Sequence, residues 1–183
     1  MLLLRRDPEA ATSEVGVRAV GAFDLGRLSR LHKACFADGW SRSDLAHLLA
    51  MPGGFGLIAR RQEPGFAGLD AIRGVGFALC RTTADECELL SLGVVPAQRR
   101  NGVARLLLEA AMQRCRNAGA KRMFLEVAID NDKAKRLYED RGFVVVGTRS
   151  NYYLRADGTR IHAHTMRLDL TCDMQRPAVA VEA

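Results

Sequence analysis

Apolar and polar positions change period several times along the chain, and each change marks an element. Val15-Gly16-Val17-Arg18-Ala19-Val20 alternates as a half-buried strand does, whereas from Asp24 to Cys35 the residues Leu25, Leu28, Leu31, Ala34 and Cys35 recur at helical spacing. Ser41-Arg42-Ser43-Asp44 carries N-cap chemistry for a second helix with Leu45, Leu48 and Leu49 on one face, stopped at Pro52-Gly53-Gly54. Three strand-like runs follow, Phe55 to Arg60, Gly74 to Thr82 and Glu86 to Val95, and their short links predict antiparallel neighbours. From Val103, the residues Leu106, Leu107, Ala110, Ala111, Arg114 and Cys115 mark a long helix that ends at Asn117-Ala118-Gly119. Met123 to Ala128 reads as a strand and Asn131 to Arg141 as a shorter helix, with Ala134, Leu137 and Tyr138 on one side and Gly142 as its stop. Phe143 to Gly147 is a further strand, and Ile161 to Leu168 is the last, after the Asp157-Gly158 turn. The order β-α-α-β-β-β-α-β-α-β-β predicts an α/β fold: a mixed central β-sheet flanked by helices, with parallel pairing across the two late helices.

Residues 1–14 and 171–183 show no period and read as loose extensions around one folded domain spanning 15–170. A chain of 183 residues holds one domain with a real core, and 48% apolar with 26% charged residues excludes a disordered or fibrous chain. Lys plus Arg number 27 against 21 Asp plus Glu, a net charge of +6 that favours phosphate-bearing or acidic partners without naming one. No apolar run approaches the roughly 20 residues that cross a bilayer, so no membrane association is expected and the expected location is the cytoplasm. The five cysteines, Cys35, Cys80, Cys87, Cys115 and Cys172, form no C-x-x-C pair and read as thiols in a reducing compartment. The strand pair His162 and His164 has no third ligand at a suitable spacing, so no metal is expected.

The stretch from Leu92 to Ala104 is where chemistry concentrates. A strand leaves into a helix through the basic turn Pro96-Ala97-Gln98-Arg99-Arg100-Asn101-Gly102-Val103-Ala104. Pro96 cannot extend the sheet ladder, Gly102 lets backbone approach a ligand, and Ala104 keeps the first helical turn thin. A helix N-terminus offers unpaired amides and the positive end of a dipole to phosphate, and Arg99 and Arg100 add charge beside it. The spacing is neither that of a Walker loop nor that of a Rossmann fingerprint, which leaves a pyrophosphate-bearing ligand of another kind.

In Arg-x-x-Gly-x-Ala, read over Arg99 to Ala104, the chain resembles the GNAT superfamily of acetyl-CoA-dependent N-acetyltransferases. The resemblance continues through Leu125-Glu126-Val127, Asn131, Leu137-Tyr138-Glu139, Gly142-Phe143 and Asn151-Tyr152-Tyr153, and within the superfamily this set is similar to the bacterial ribosomal-protein-alanine N-acetyltransferases. It implies acetyl-CoA as cosubstrate without a metal. The backbone at Leu92 and Val94 would pair with the pantetheine arm, and amides of the segment Arg100, Asn101, Gly102, Val103 and Ala104 would hold the pyrophosphate. Asn131 would touch the cofactor arm, and as a helix N-cap it has a second use. Glu126 stands at the general-base position, Tyr138 at the general-acid position, and Trp40 at a helix junction bordering the acceptor channel. Tyr152 and Tyr153 match the tyrosines of the loop before the last strand that clamp the acceptor.

These implied roles agree with elementary chemistry. An amine attacks a thioester only without its extra proton, which a carboxylate accepts directly or through water, and a phenol can protonate the departing thiolate. The resemblance implies an enzyme acting on a protein N-terminus, first the N-terminal alanine of a small-subunit ribosomal protein, with no nucleic acid required. A lysine or small-molecule amine as acceptor, and a sensor that binds acyl-CoA without turnover, stay open. Arg99 and Ala104 stand where these relatives often have Gln and Gly, and the Gly/Pro-rich link from Arg61 to Gly74 is longer than usual, so the acceptor is the less determined part.

Overall fold

The computed structural model describes residues 15–62, 72–155 and 157–171. Strand β1 (Val15–Ala19) leads into helices α1 (Leu25–Cys35) and α2 (Arg42–Ala50), then β2 (Gly54–Gln62), β3 (Ile72–Thr83) and β4 (Glu86–Val94). Helix α3 (Val103–Asn117), β5 (Arg122–Ala128), α4 (Asp132–Glu139), β6 (Val144–Leu154) and β7 (Arg160–Asp169) complete the order that the periodicity predicts. The extensions 1–14 and 172–183, Cys172 with them, and most of the Gly/Pro-rich link lie outside the described residues.

Local chemistry explains the helix ends. Ser41 accepts from Asp44 N–H and Asp44 accepts from Ser41 N–H, a reciprocal cap that starts α2. Asn131 Oδ1 accepts from Ala134 N–H at 3.2 Å and starts α4. Gly119 and Gly142 take positive φ of 85° and 86° just past α3 and α4, where a side chain would be strained.

All seven strands form one sheet in the order β1-β2-β3-β4-β5-β7-β6. Alternation divides its two faces. Ile58, Phe77 and Leu79 bury against Leu28, Leu31 and Leu45 of α1 and α2. Ala78, Cys80, Leu89, Met123, Leu125 and Met166 bury on the other face with Leu107, Leu108 and Ala111 of α3 and Tyr138 of α4. Each large side chain removed from water contributes about 2 kcal/mol, so the helices are fixed by what their stripes cover.

The parallel pairing expected across both late helices holds only for the first. β4 and β5 pair in parallel across α3. β5 and β6 are not neighbours, because β7 inserts between them, antiparallel to each. β6 is also longer than the expected Phe143 to Gly147: pairing with β7 carries it to Leu154, so Tyr152 and Tyr153 belong to a strand rather than a loop. The reading of the cysteines is corrected in part, for Cys87 of β4 and Cys115 of α3 are joined as a disulfide, while Cys35 and Cys80 are free thiols. Among the described residues no helix is long and apolar enough to cross a membrane.

Candidate active site

The site opens where two neighbouring strands part. β4 and β5 pair only from Glu86 with Arg122 to Leu89 with Leu125, and beyond this β5 pairs with β7 alone. On its other side β4 carries a bulge: Leu79 faces Ser91 and Cys80 faces Leu89, which leaves Leu90 extra and turns the strand. The result is a gap between the last residues of β4 and those of β5.

Hydrogen-bond alternation shows what lines it. Val95 N–H bonds Val75 O at 3.0 Å on the β3 side, so Val94 and Leu92, of opposite parity to Val95, turn their amide and carbonyl groups toward the gap. Gly93 between them has no room for a side chain, since a Cβ there would lie 2.7 Å from the Phe77 ring. The Val94 carbonyl accepts from Arg99 Nε at 3.1 Å. This arginine therefore braces the turn after β4, and the Val94 amide is the group left to face a ligand.

Below the gap stands the N-terminus of α3. Its first backbone bond runs from Leu106 N–H to Gly102 O at 3.0 Å, so the amides of Gly102, Val103, Ala104 and Arg105 precede any helical partner. Arg100 and Gly102 both take left-handed φ, 67° and 74°, which turns successive amides of the Arg100-Asn101-Gly102 segment to one side. Arg99 and Arg100 are exposed, Asn101 half-buried. Such a cradle of free amides at a helix end fits a pyrophosphate.

Glu126 lies on the β5 bank, on the face not covered by α3 and α4. Its side chain is 13% exposed, and Arg149 Nη1 reaches its Oε1 at 2.5 Å. The Glu126 carboxylate also acts on the Tyr152 phenol, as a hydrogen-bond acceptor first and through its charge last, and with burial pushes it up to about 12. Tyr153 donates from its hydroxyl to the Glu126 backbone carbonyl at 3.1 Å, and burial followed by the Glu126 charge raises its pKa too. These tyrosines reach β5 because β6 is irregular. Arg149 faces Ala163 and Tyr153 faces Ile161, so Ser150, Asn151 and Tyr152 stand against a single β7 residue, with Asn151 at a φ of 52°. His162 Nδ1 accepts from Asn151 N–H at 3.1 Å, and His164 Nδ1 lies 3.4 Å from Thr148 Oγ1, so both histidines serve the hairpin. Among the described residues no three His, Cys, Asp or Glu gather as a metal site. An ion pair between Arg155 and Asp130 ties the hairpin's tip to the loop after β5.

Tyr138 lies on the opposite face of the sheet, in the core that α3 and α4 cover. It is 7% exposed, its ring lies 5.7 Å from that of Phe143, and burial raises its pKa well above the ordinary phenol value, with further contributions from Tyr153 and Cys80. It is thus a neutral proton donor at any ordinary pH. Asn131 is exposed and caps α4.

Trp40 closes the α1–α2 corner. His32 Nδ1 accepts from Trp40 N–H at 3.1 Å, and the two rings stack with centroids 4.8 Å apart. Accepting at Nδ1 puts the His32 proton on Nε2, which lies 3.3 Å from Ser91 Oγ of β4. Burial lowers the His32 pKa and keeps the ring neutral. Trp40 is therefore held to the gap's β4 bank through His32, a link that the helical spacing of His32 did not reveal. Arg149 was missed likewise; its place two residues before Asn151-Tyr152-Tyr153 carries no motif, and an earlier register shift in β6, between Val145 and Gly147, is what puts it on the Glu126 face.

Residues 25–143 match the model of the acetyltransferase (GNAT) family. A ribosomal protein bS18-alanine N-acetyltransferase from Haemophilus ducreyi is 38% identical over 96 residues, a match spanning 52% of this chain and 66% of that protein, just under two thirds. An N-alpha-acetyltransferase RimI from Mycobacterium tuberculosis is 34% identical over 164 residues, 87% of this chain and 96% of that protein. Among solved structures, the ribosomal-protein-S18-alanine N-acetyltransferase from Escherichia coli superposes with a TM-score of 0.74 at 24% identity, covering 90% of this chain and 99% of that one. The chain belongs to the GNAT family of acetyltransferases, and within it is similar to the RimI N-alpha-acetyltransferases.

Proposed function

We propose that this protein transfers the acetyl group of acetyl-CoA to the α-amine of a protein N-terminus, with the N-terminal alanine of a small-subunit ribosomal protein as its first acceptor and the cytoplasm as its place of action. The observation that carries this reading is the gap between β4 and β5, which has an unpaired strand edge and free helix amides on one bank and the Glu126 carboxylate on the other. The names of the relatives support the acceptor.

Acetyl-CoA supplies an acyl group already activated as a thioester, so the protein's work is to bind, orient and move protons. Leu92 and Val94 offer backbone partners to an amide-bearing arm. The α3 amides from Gly102 to Ala104, with Arg100 and Asn101 beside them, would hold the pyrophosphate, while Arg99 braces the turn. Asn131 lies at the mouth of α4 for the arm's other side. The Val94 N–H is placed to donate to the thioester carbonyl oxygen as it gains charge. Glu126 takes the proton of the acceptor amine, directly or through one water, and Tyr138 gives its proton to the departing sulfur. Trp40, Tyr152 and Tyr153 wall the acceptor side.

The energetics favour an N-terminal amine. Its pKa of about 7.8 leaves roughly a third of it neutral near pH 7.4, whereas lysine near 10.4 is only about 0.1% neutral. One carboxylate as base suits the first better. The test is mass spectrometry of a peptide that begins with alanine, incubated with the protein and acetyl-CoA beside the same peptide blocked at its N-terminus and carrying an internal lysine. One acetyl group on the free α-amine alone is expected. Acetylation of the lysine in preference to the α-amine, or of neither peptide while acetyl-CoA binds, would overturn the acceptor assignment.

A further inference from the structure

The carboxylate that is to receive the acceptor's proton is already occupied. Arg149 Nη1 lies 2.5 Å from Glu126 Oε1, and the guanidinium carbon sits 4.9 Å from the centre of the Tyr152 ring. The partners are unequal in exposure: the Glu126 side chain is 13% exposed and that of Arg149 57%. The acid is seated in the protein, and the cation reaches in from solvent.

A protonated amine brings what the guanidinium brings here, namely a positive charge, an N–H donor for Oε1 and a cation for the aromatic face. Two cations beside one carboxylate repel each other, so each weakens the carboxylate's hold on the other. We propose that Arg149 is a placeholder for the acceptor ammonium, holding Glu126 neutralised in the free enzyme and yielding to the amine as it binds. The negative charge of Glu88 on β4 also acts on Arg149, more weakly than that of Glu126. Arg149 is in this sense a positioning residue that sets acceptor affinity. The inference rests on the reading of Glu126 as the acceptor-side carboxylate.

Competition fixes the sign of its effect. A ligand that must displace an internal partner binds more weakly by the fraction of time that partner holds the site. Exposed ion pairs are weak, which corresponds to a factor of about two to six. Replacing Arg149 by an uncharged side chain of similar length therefore lowers the acceptor KM.

The experiment is steady-state kinetics of the full chain with acetyl-CoA saturating and the acceptor peptide varied, for wild type, Arg149→Met and Arg149→Lys. Arg149→Met is expected to lower the peptide KM about two- to sixfold, with kcat moving less than KM, and Arg149→Lys to stay near wild type because an ammonium still competes. A KM that rises in Arg149→Met would mean that Arg149 grips the acceptor, and an unchanged KM that it does not compete; either overturns the proposal. Should Arg149→Met fail to fold, NMR of the arginine guanidinium groups of the wild-type protein decides the same point. The Arg149 signal should shift when the free-amine peptide binds and stay in place with the N-acetylated peptide, and a signal unmoved by saturating free-amine peptide would refute displacement. If the wild-type enzyme acetylates a different amine, the acceptor assignment fails on its own, and the Arg149 comparison is made with that amine.

Discussion

Glu126 and Tyr138 sit in opposite environments, and their environments suit opposite tasks. Glu126 is on an open face among Arg149, Tyr152 and Tyr153, where an amine can reach it. Tyr138 is enclosed beside Phe143, where burial keeps its proton on. Glu126→Gln removes the proposed base and should lower kcat by about a hundredfold or more, the range of a lost general base, while acetyl-CoA binding persists. Tyr138→Phe keeps the packed ring and should reduce kcat with little change in the urea midpoint. An equal loss of stability and activity in Tyr138→Phe would show a purely structural tyrosine. The resemblance singled out both residues through the motifs around them, although alternation alone also allowed Glu126 a plain polar face and helical spacing also allowed Tyr138 a plain core position.

At the scale of elements, the junction between β1 and α1 depends on one buried carboxylate that the periodicity marked only as a helix start. Asp24 accepts from both Arg18 guanidinium nitrogens at 2.6 Å, from Arg27 at 3.2 Å and from Gly21 N–H at 2.9 Å. The Arg18 hydrogen bond, with smaller help from Gly21 and Arg27, holds its pKa down at about 2. A depressed carboxylate stabilises the fold above its unfolded pKa, and that stability is lost as pH falls through the folded value. Asp24 therefore contributes about 2 kcal/mol at neutral pH that disappears between about pH 4 and pH 2. Thermal unfolding against pH checks this: Asp24→Asn should lower Tm at pH 7 and show a flatter acid limb than wild type. Equal slopes in the two proteins would refute it. The two register shifts of β6 are the other decisive junctions: the one between Val145 and Gly147 puts Arg149 on the Glu126 face, and the one between Arg149 and Tyr153 takes Tyr152 and Tyr153 out of the strand's regular alternation.

At the scale of the whole molecule, the proposed cofactor cradle draws on β4, the turn after it and α3, so occupancy should stabilise the entire fold. Acetyl-CoA at a hundredfold excess over its Kd adds about 2.7 kcal/mol of apparent stability, readable as a rise in Tm. Gly102→Val forces a branched side chain into a φ of 74° beside the free amides, and should remove most of that rise. A full rise in this variant would show that the α3 N-terminus does not hold the ligand.

The amino-acid sequence by itself determined the elements and their order, because helices and strands follow from local period and from caps such as Ser41, Asn131 and Gly142. It also marked the basic turn proposed to hold the pyrophosphate, because its chemistry is written in contiguous residues from Arg99 to Ala104. The tertiary structure alone decided that β7 lies between β5 and β6, that β4 and β5 part after Leu89, and that Arg149 meets Glu126. Strand neighbours and bulges are set by pairing between residues distant along the chain, which no local period encodes.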